Sequence, residues 1–86
     1  MTEKELSEAL VQIIRQVAPD GDLENLRPEQ RFRDQLDFDS VDFLNFALGL
    51  QQRFNISIPE EDFPALGTLD GCVSYLMPKI GLGATA

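Results

Sequence analysis

Two long segments without proline carry apolar residues at helical spacing, and this pattern constrains the fold more than any other feature of the chain. The first begins after Thr2, which forms a capping-box pattern with Glu5, and ends before Pro19. The second runs from Ser40 to Phe54. One face of each segment is apolar, formed by Leu6, Ala9, Leu10, Ile13 and Val17 in the first and by Phe43, Phe46, Ala47, Leu50 and Phe54 in the second. We therefore predict two amphipathic helices.

Two further helices are predicted in the second half of the chain. Pro59 suits the first turn of a short helix, which Pro64 should end. Thr68 then caps a last helix that has Pro78 near its end. The inward residues of this helix are Leu69, Val73, Leu76 and Ile80.

Residues 19–39 lack clear periodicity and are predicted to form a long loop. Its apolar residues, which would pin it to the core, are Leu23, Leu26, Phe32 and Leu36. The predicted fold class is therefore all-α, a four-helix bundle with a long loop between helices one and two and a short third helix. We expect residues 1–80 to form one domain and residues 81–86 a flexible C-terminal tail.

The composition excludes several classes of function. With 86 residues, no histidine and the single cysteine Cys72, the chain offers no internal disulfide, no thiolate zinc site and no Ser-His or Cys-His nucleophile pair. Fifteen acidic against seven basic residues give a net charge of −8, which disfavours nucleic acid and anionic lipid and favours basic partners. No apolar run approaches the length of a membrane span and the N-terminus has no signal-peptide pattern, so we expect a cytoplasmic protein without membrane insertion.

Ser40 lies where the second predicted helix begins, after the long loop. A hydroxyl there is close to unpaired backbone N–H groups and to the positive end of the helix dipole, a position that accommodates a phosphate ester. The alternative is that Ser40 only starts the helix, as most serines at such positions do. Asp34, Asp37, Asp39 and Asp42 surround it but lack the spacing of an EF-hand loop, so we predict loose association of cations and no specific metal site.

A second apolar stripe on the same helix lies beside Ser40. It consists of Val41, Leu44 and Leu48 and is bordered by Asn45 and Gln52. A simple amphipathic helix does not require it. The pattern leaves two interpretations open, a wide core-facing surface and a docking surface for a partner.

The segment FRDQLDFDSVDFLNFALGLQQRFNISIP resembles the acyl carrier protein family, in which an Asp-Ser-Leu motif opens the second helix. The matching residues are Asp39, Ser40 and Val41. The resemblance implies that Ser40 receives phosphopantetheine from coenzyme A through a phosphopantetheinyl transferase. It further implies a carrier, not an enzyme, that holds an acyl or aminoacyl group as a thioester. The alternative from another class is an unmodified acidic helical adaptor that binds a basic protein partner.

The family also implies an acyl pocket and a surface for the acyl-loading and acyl-accepting enzymes. The pocket residues by resemblance are Phe32, Phe43, Leu50, Phe63 and Leu66, all of which are equally typical of an ordinary core. The residues assigned to partner recognition are Asp39, Val41, Asp42, Leu44, Asn45, Leu48 and Gln52. We expect the carrier to be a monomer.

Two departures from the family pattern stand close to Ser40. Asp37 and Phe38 replace a glycine and a small residue, which makes the approach to the serine bulkier. Housekeeping members carry glutamates along the second helix, whereas this chain has Asn45, Gln51 and Gln52. The sequence therefore predicts dedicated partner enzymes.

Overall fold

The computed structural model describes residues 2–36 and 38–85, with the backbone alone described for residues 81–85. It contains helices α1 (Glu3–Val17), α2 (Phe32–Gln35), α3 (Ser40–Phe54) and α4 (Leu69–Thr85), and a 3₁₀ helix (Glu60–Leu66) between α3 and α4. Within these residues the only β-type pairing is an isolated antiparallel bridge between Arg31 and Thr68. The predicted all-α class is confirmed.

α1 begins as the capping-box pattern predicts. Thr2 Oγ1 accepts a hydrogen bond from Glu5 N at 3.1 Å, and Glu5 Oε1 accepts one from Thr2 N at 3.0 Å. The hydrogen bond from the Thr2 backbone lowers the pKa of Glu5. The predicted apolar face is buried except for Val17, which is half-buried, and Ile14 joins it in the core.

The predicted loop between α1 and α3 contains a one-turn helix, α2, which the sequence analysis missed. α2 carries Phe32 into the core, and Leu36 is buried directly after it. Gln35 ties it to the preceding turn, since its Nε2 donates to Arg27 O at 2.7 Å and to Gln30 O at 3.0 Å. A helix of four residues is too short to show a 3.6-residue period, so contacts distant in sequence determine it.

α3 packs against α1 and contributes three residues to the core. Phe46, Ala47 and Leu50 are fully buried, while Phe43 and Phe54 are only half-buried. The helix ends at Asn55, whose φ of 54° and ψ of 48° place it in the left-handed region that asparagine tolerates better than most side chains.

Three prolines lie at the start of or inside the helices in the second half of the chain. Pro59 precedes the 3₁₀ helix as its N-cap, and Pro64 lies inside that helix instead of ending it. A proline's fixed φ fits the 3₁₀ backbone, so only one hydrogen bond is lost there. Pro78 lies inside α4. Because proline has no backbone N–H, the carbonyl of Ser74, four residues earlier, loses its helical hydrogen bond, and Ser74 is exposed.

α4 packs against α1 and against the 3₁₀ helix. Thr68 caps it as predicted, because Thr68 Oγ1 accepts a hydrogen bond from Gly71 N at 2.9 Å. A Cβ at position 71 would collide with the Ala65 carbonyl oxygen, so glycine permits the close approach of the two helices. The inward residues of α4 are Leu69, Cys72 and Leu76, which are buried, and Val73 and Ile80, which are half-buried.

The α4 backbone continues through Thr85 and thus into the segment predicted to be a tail, whose flexibility stays a prediction. None of the helices described is long and apolar enough to span a bilayer.

Candidate functional site

Ser40 is the first residue of α3, and the capping of that helix is performed by its neighbours. Asp39 Oδ1 accepts a hydrogen bond from Asp42 N at 2.8 Å, and Asp42 Oδ2 accepts one from Asp39 N at 3.4 Å. This reciprocal pair is a complete capping box. The Ser40 side chain is exposed, and no side-chain hydrogen bond from it occurs among residues 2–36 and 38–85. The hydroxyl is therefore available for chemistry.

Ser40 opens onto a surface cleft of about 590 Å³, a size typical of pockets that hold small molecules. Three elements form it: α2 with its N-cap, the start of α3, and the 3₁₀ helix. The residues that line it are Arg31, Phe32, Arg33, Phe38, Asp39, Ser40, Phe43, Phe63, Pro64 and Gly67. The backbone N–H of Phe32 donates to Gly67 O at 2.9 Å, which joins two of these elements directly.

Aromatic rings in contact with one another form the wall of the cleft. Phe38 lies 5.7 Å from Phe32 and 6.1 Å from Phe46, measured between ring centroids. Phe43 meets Phe63 edge to face at 6.0 Å, so a pair of rings spans the gap between α3 and the 3₁₀ helix. Rings packed in this way hold one another in place and give the cleft a firm apolar wall.

The structure divides the predicted pocket residues into two groups. Phe32, Phe43 and Phe63 line the cleft beside Ser40. Leu50 and Leu66 are fully buried in the core and do not line it. A pocket lined by all five residues is therefore not what the structure shows beside Ser40.

The predicted recognition residues lie around Ser40 on α3, mostly in contact with solvent. Val41, Leu44 and Leu48 are 63%, 47% and 45% exposed, so of the two interpretations of this stripe the wide core face is wrong. Asn45 and Gln52 are exposed as well. We call these five residues the α3 patch.

Three residues next to the α3 patch make hydrogen bonds that stabilise the fold. Asp39 and Asp42 form the capping box, and Asp42 is half-buried. Gln51 turns towards the chain that follows α3, since its Oε1 accepts a hydrogen bond from Ile58 N at 3.2 Å. Gln51 is therefore a structural residue and is not available to a partner.

Five residues that line the cleft were not predicted as site residues, namely Arg31, Arg33, Phe38, Pro64 and Gly67. Phe38 was noted only as a bulky departure, and Arg31 and Arg33 were not noted at all. The available signal was the concentration of charge: three of the seven basic residues of an acidic chain lie at Arg27, Arg31 and Arg33, just before the serine.

Two titratable groups of α4 lie behind the cleft. Burial raises the pKa of the Cys72 thiol to about 12, which is the opposite of what a reactive thiolate requires. Tyr75 Oη donates to Asp62 Oδ2 at 2.6 Å and thereby ties α4 to the 3₁₀ helix that carries Phe63. Partial burial and this hydrogen bond raise the pKa of Tyr75 to about 12.

Together, the fold and the site define a small helical domain that presents an exposed serine at the start of a helix, beside an apolar cleft. The described residues contain no cluster of three or more side chains able to hold a metal ion.

Comparison with known proteins agrees with this class. Residues 8–76 match the family described as "Phosphopantetheine attachment site". The chain is 32% identical over 80 residues to an acyl carrier protein of Chlorobium phaeovibrioides (strain DSM 265 / 1930), covering 92% of this chain and 100% of that one. It is 32% identical over 75 residues to an acyl carrier protein of Thermobifida fusca (strain YX), covering 87% and 94%. The chain belongs to the acyl carrier protein family.

The residues present fit the phosphopantetheine group that this family implies. The group needs an accessible hydroxyl with room beside it, and Ser40 provides both, because it is exposed and borders the cleft. Asp39 and Ser40 match the first two residues of the attachment motif, and Val41 stands in place of its leucine. No buried polar side-chain atom of the described residues lacks a hydrogen-bond partner, so the site is complete without an additional ligand in the core.

Proposed function

We propose that Ser40 carries phosphopantetheine and that the protein transports acyl or aminoacyl groups between separate enzymes without catalysing a reaction itself. The observation that carries this proposal is the free Ser40 hydroxyl, whose capping role is taken by Asp39. A serine needed for the helix start would be a poor attachment point, because modification would remove a hydrogen bond. Here modification leaves the capping box intact.

The attachment is a transfer from coenzyme A made by a phosphopantetheinyl transferase. The Ser40 oxygen forms a bond to the phosphorus that bears the pantetheine, and the pyrophosphate bond to the nucleotide breaks. Adenosine 3′,5′-bisphosphate leaves with that electron pair, and the serine proton passes to a base of the transferase. When bound, the group supplies a terminal thiol that holds the acyl group as a thioester.

The cleft is proposed to shelter the attached group and its cargo from water. Its wall of phenylalanine rings offers apolar contact directly beside Ser40. Leu50 and Leu66 lie in the core and do not line this cleft.

The α3 patch is proposed to be the surface on which partner enzymes dock. Exposed aliphatic side chains flanked by polar groups are typical of a transient interface. Arg53 in the last turn and Asp42 in the first are the only charges on α3, so docking there depends little on electrostatic attraction. Enzymes with a strongly basic docking surface would gain little from this helix, which supports the prediction of dedicated partners.

The decisive test of the attachment is the intact mass of the protein after incubation with coenzyme A and a phosphopantetheinyl transferase. We expect the mass of one phosphopantetheine group to be added, and no gain for Ser40→Ala. Ser57→Ala and Ser74→Ala are matched controls, because both serines are exposed, and these variants should be modified like the original protein. A protein that stays unmodified would instead support the unmodified adaptor.

A second test addresses the choice of partners. Asn45→Glu with Gln52→Glu gives α3 the charge of a housekeeping carrier, while Gln51 is left unchanged because it holds the Ile58 N–H. We expect faster loading by general fatty-acid enzymes with basic docking surfaces. Gln16→Glu with Ser74→Glu adds the same charge on α1 and α4 and should have little effect. Equal rates for both double variants would contradict the role of the α3 patch.

A further inference from the structure

The cleft beside Ser40 brings two basic side chains to the candidate site of an acidic chain. Among the described residues its charged lining consists of Arg31, Arg33 and Asp39, although the whole chain has a net charge of −8. Asp42, the other acid of the capping box, faces a different hollow, next to Gly21 and Leu36. An anionic group at Ser40 therefore shares the cleft with two guanidinium groups.

We propose that Arg31 and Arg33 bind the phosphodiester through which phosphopantetheine is attached to Ser40. This rests on the proposed attachment at Ser40. The guanidinium group presents several N–H donors in a planar fork that suits phosphate oxygens. The two arginines thereby hold the attached group at the mouth of the cleft.

Both arginines and Ser40 line the same cleft, and the size of that cleft is compatible with this contact. A volume of about 590 Å³ corresponds to a space roughly 10 Å across, and a phosphodiester bonded to the Ser40 oxygen lies within it. The Debye length is also about 10 Å at 0.1 M salt, so charges that share the cleft act on each other with incomplete screening.

The existing partner of Arg31 does not prevent binding. Arg31 Nε lies 3.5 Å from Asp34 Oδ2, and these side chains are 66% and 58% exposed. An ion pair so exposed contributes little, and Arg31 can exchange it for a phosphodiester at small cost. The backbone of Arg31 is fixed at the same time by its bridge to Thr68, so the side chain starts from a defined position.

Binding of the diester also places the remainder of the attached group next to the aromatic wall. Phe32, between the two arginines in sequence, is buried and forms part of that wall together with Phe38. The arginines on the rim and the rings below them form one continuous surface. This arrangement holds the attached group against the protein instead of leaving it extended in solvent.

The test uses ³¹P NMR of the full-length modified protein, whose modification is first verified by intact mass. The double variant Arg31→Gln and Arg33→Gln should move the ³¹P chemical shift of the diester. Arg53→Gln is the matched control, since Arg53 is an exposed arginine in the last turn of α3, where its Nη2 contacts Gln12 at 3.5 Å. This control should leave the ³¹P shift unchanged.

Two further measurements use the original sequence. Raising NaCl from about 20 mM to about 500 mM should move its ³¹P shift towards that of the double variant, because salt weakens the contact. The side-chain Nε–H signals of Arg31 and Arg33 should shift between the unmodified and modified forms, while that of Arg53 stays in place.

The possible failures are distinct. If the protein gains no mass, both the proposed attachment at Ser40 and the proposed arginine contact are wrong. If the mass is gained but the ³¹P shift is the same in the original protein and in the double variant, the arginine contact alone is overturned. Circular dichroism of the double variant should show unchanged helix content, because both arginine side chains are exposed.

Discussion

Replacing Phe43 by alanine should destabilise the protein by about 2 kcal/mol, roughly half the cost of the same replacement at Phe46. The two residues lie one turn apart on α3 and their rings are in contact, with centroids 6.4 Å apart. Phe46 is fully buried, whereas Phe43 is half-buried and lines the cleft. The pair therefore separates a core residue from a residue of the cleft wall.

The magnitudes follow from these environments. A fully buried phenylalanine costs about 3–5 kcal/mol on truncation to alanine, because a closed cavity remains, and we expect this for Phe46. Truncation of Phe43 only widens an open cleft. Its cost is about 1 kcal/mol of lost apolar burial plus a similar amount for the edge-to-face contact with Phe63. A domain of 86 residues has a stability of roughly 4–13 kcal/mol, so the Phe46 variant is the one at risk of unfolding.

Urea denaturation of the unmodified protein measures both values, provided that the slope of the free energy of unfolding with urea stays constant between variants. A second readout is the rate at which water hydrolyses a thioester-bound acyl group, compared for long and short chains. Phe43→Ala should change the ratio of these rates because the cleft is wider. Equal destabilisation at Phe43 and Phe46, with an unchanged ratio, would show that Phe43 is an ordinary core residue and that the reasoning is wrong.

Three further outcomes are expected. Asp39→Ala should lower the free energy of unfolding by about 1 kcal/mol, because the N-cap oxygen is lost. Asp39→Asn keeps a side-chain oxygen and should lower it by less. Equal losses for the two variants in thermal or urea denaturation would contradict this. Tyr75 ionises near pH 10 in the unfolded chain and at about 12 in the folded protein, so stability should fall as the pH rises through this interval. Urea midpoints at about pH 9 and about pH 11 should show a smaller fall for Tyr75→Phe, and an identical fall would refute the assignment. NaCl and MgCl₂ at equal ionic strength should raise the melting temperature equally by screening the acidic surface, whereas a larger rise with MgCl₂ would reveal a specific cation site.

The features near Ser40 differ in how far the sequence could predict them. The N-cap at Asp39 and the position of Ser40 in the first turn of α3 follow from a local pattern, and the structure agrees. Exposure of Val41 could not be decided in advance, because an apolar residue on a helix flank is equally compatible with a wide core. Only the tertiary packing, in which α1 covers the opposite side of α3, shows which flank stays exposed.

The cleft was the least predictable part of the site. Leu50 and Leu66, which the family resemblance names as pocket residues, are buried in the core and do not line the cleft beside Ser40, so their role in an acyl pocket stays a prediction. Phe38 and Arg33 line the cleft although no periodic pattern includes them. A cleft forms between elements, so its lining depends on how they meet and not on the spacing within any one of them.

The sequence by itself determined the all-α class, the cores of α1, α3 and α4, the capping of these helices and the placement of Ser40, because each depends on residues within a few positions of one another. The tertiary structure decided the existence of α2, the aromatic wall and the arginine rim. These depend on contacts between distant parts of the chain, such as the hydrogen bond from Phe32 N to Gly67 O at 2.9 Å and the ring pair of Phe43 and Phe63. Contacts of that kind form only when the helices pack, and a local sequence pattern does not predict them.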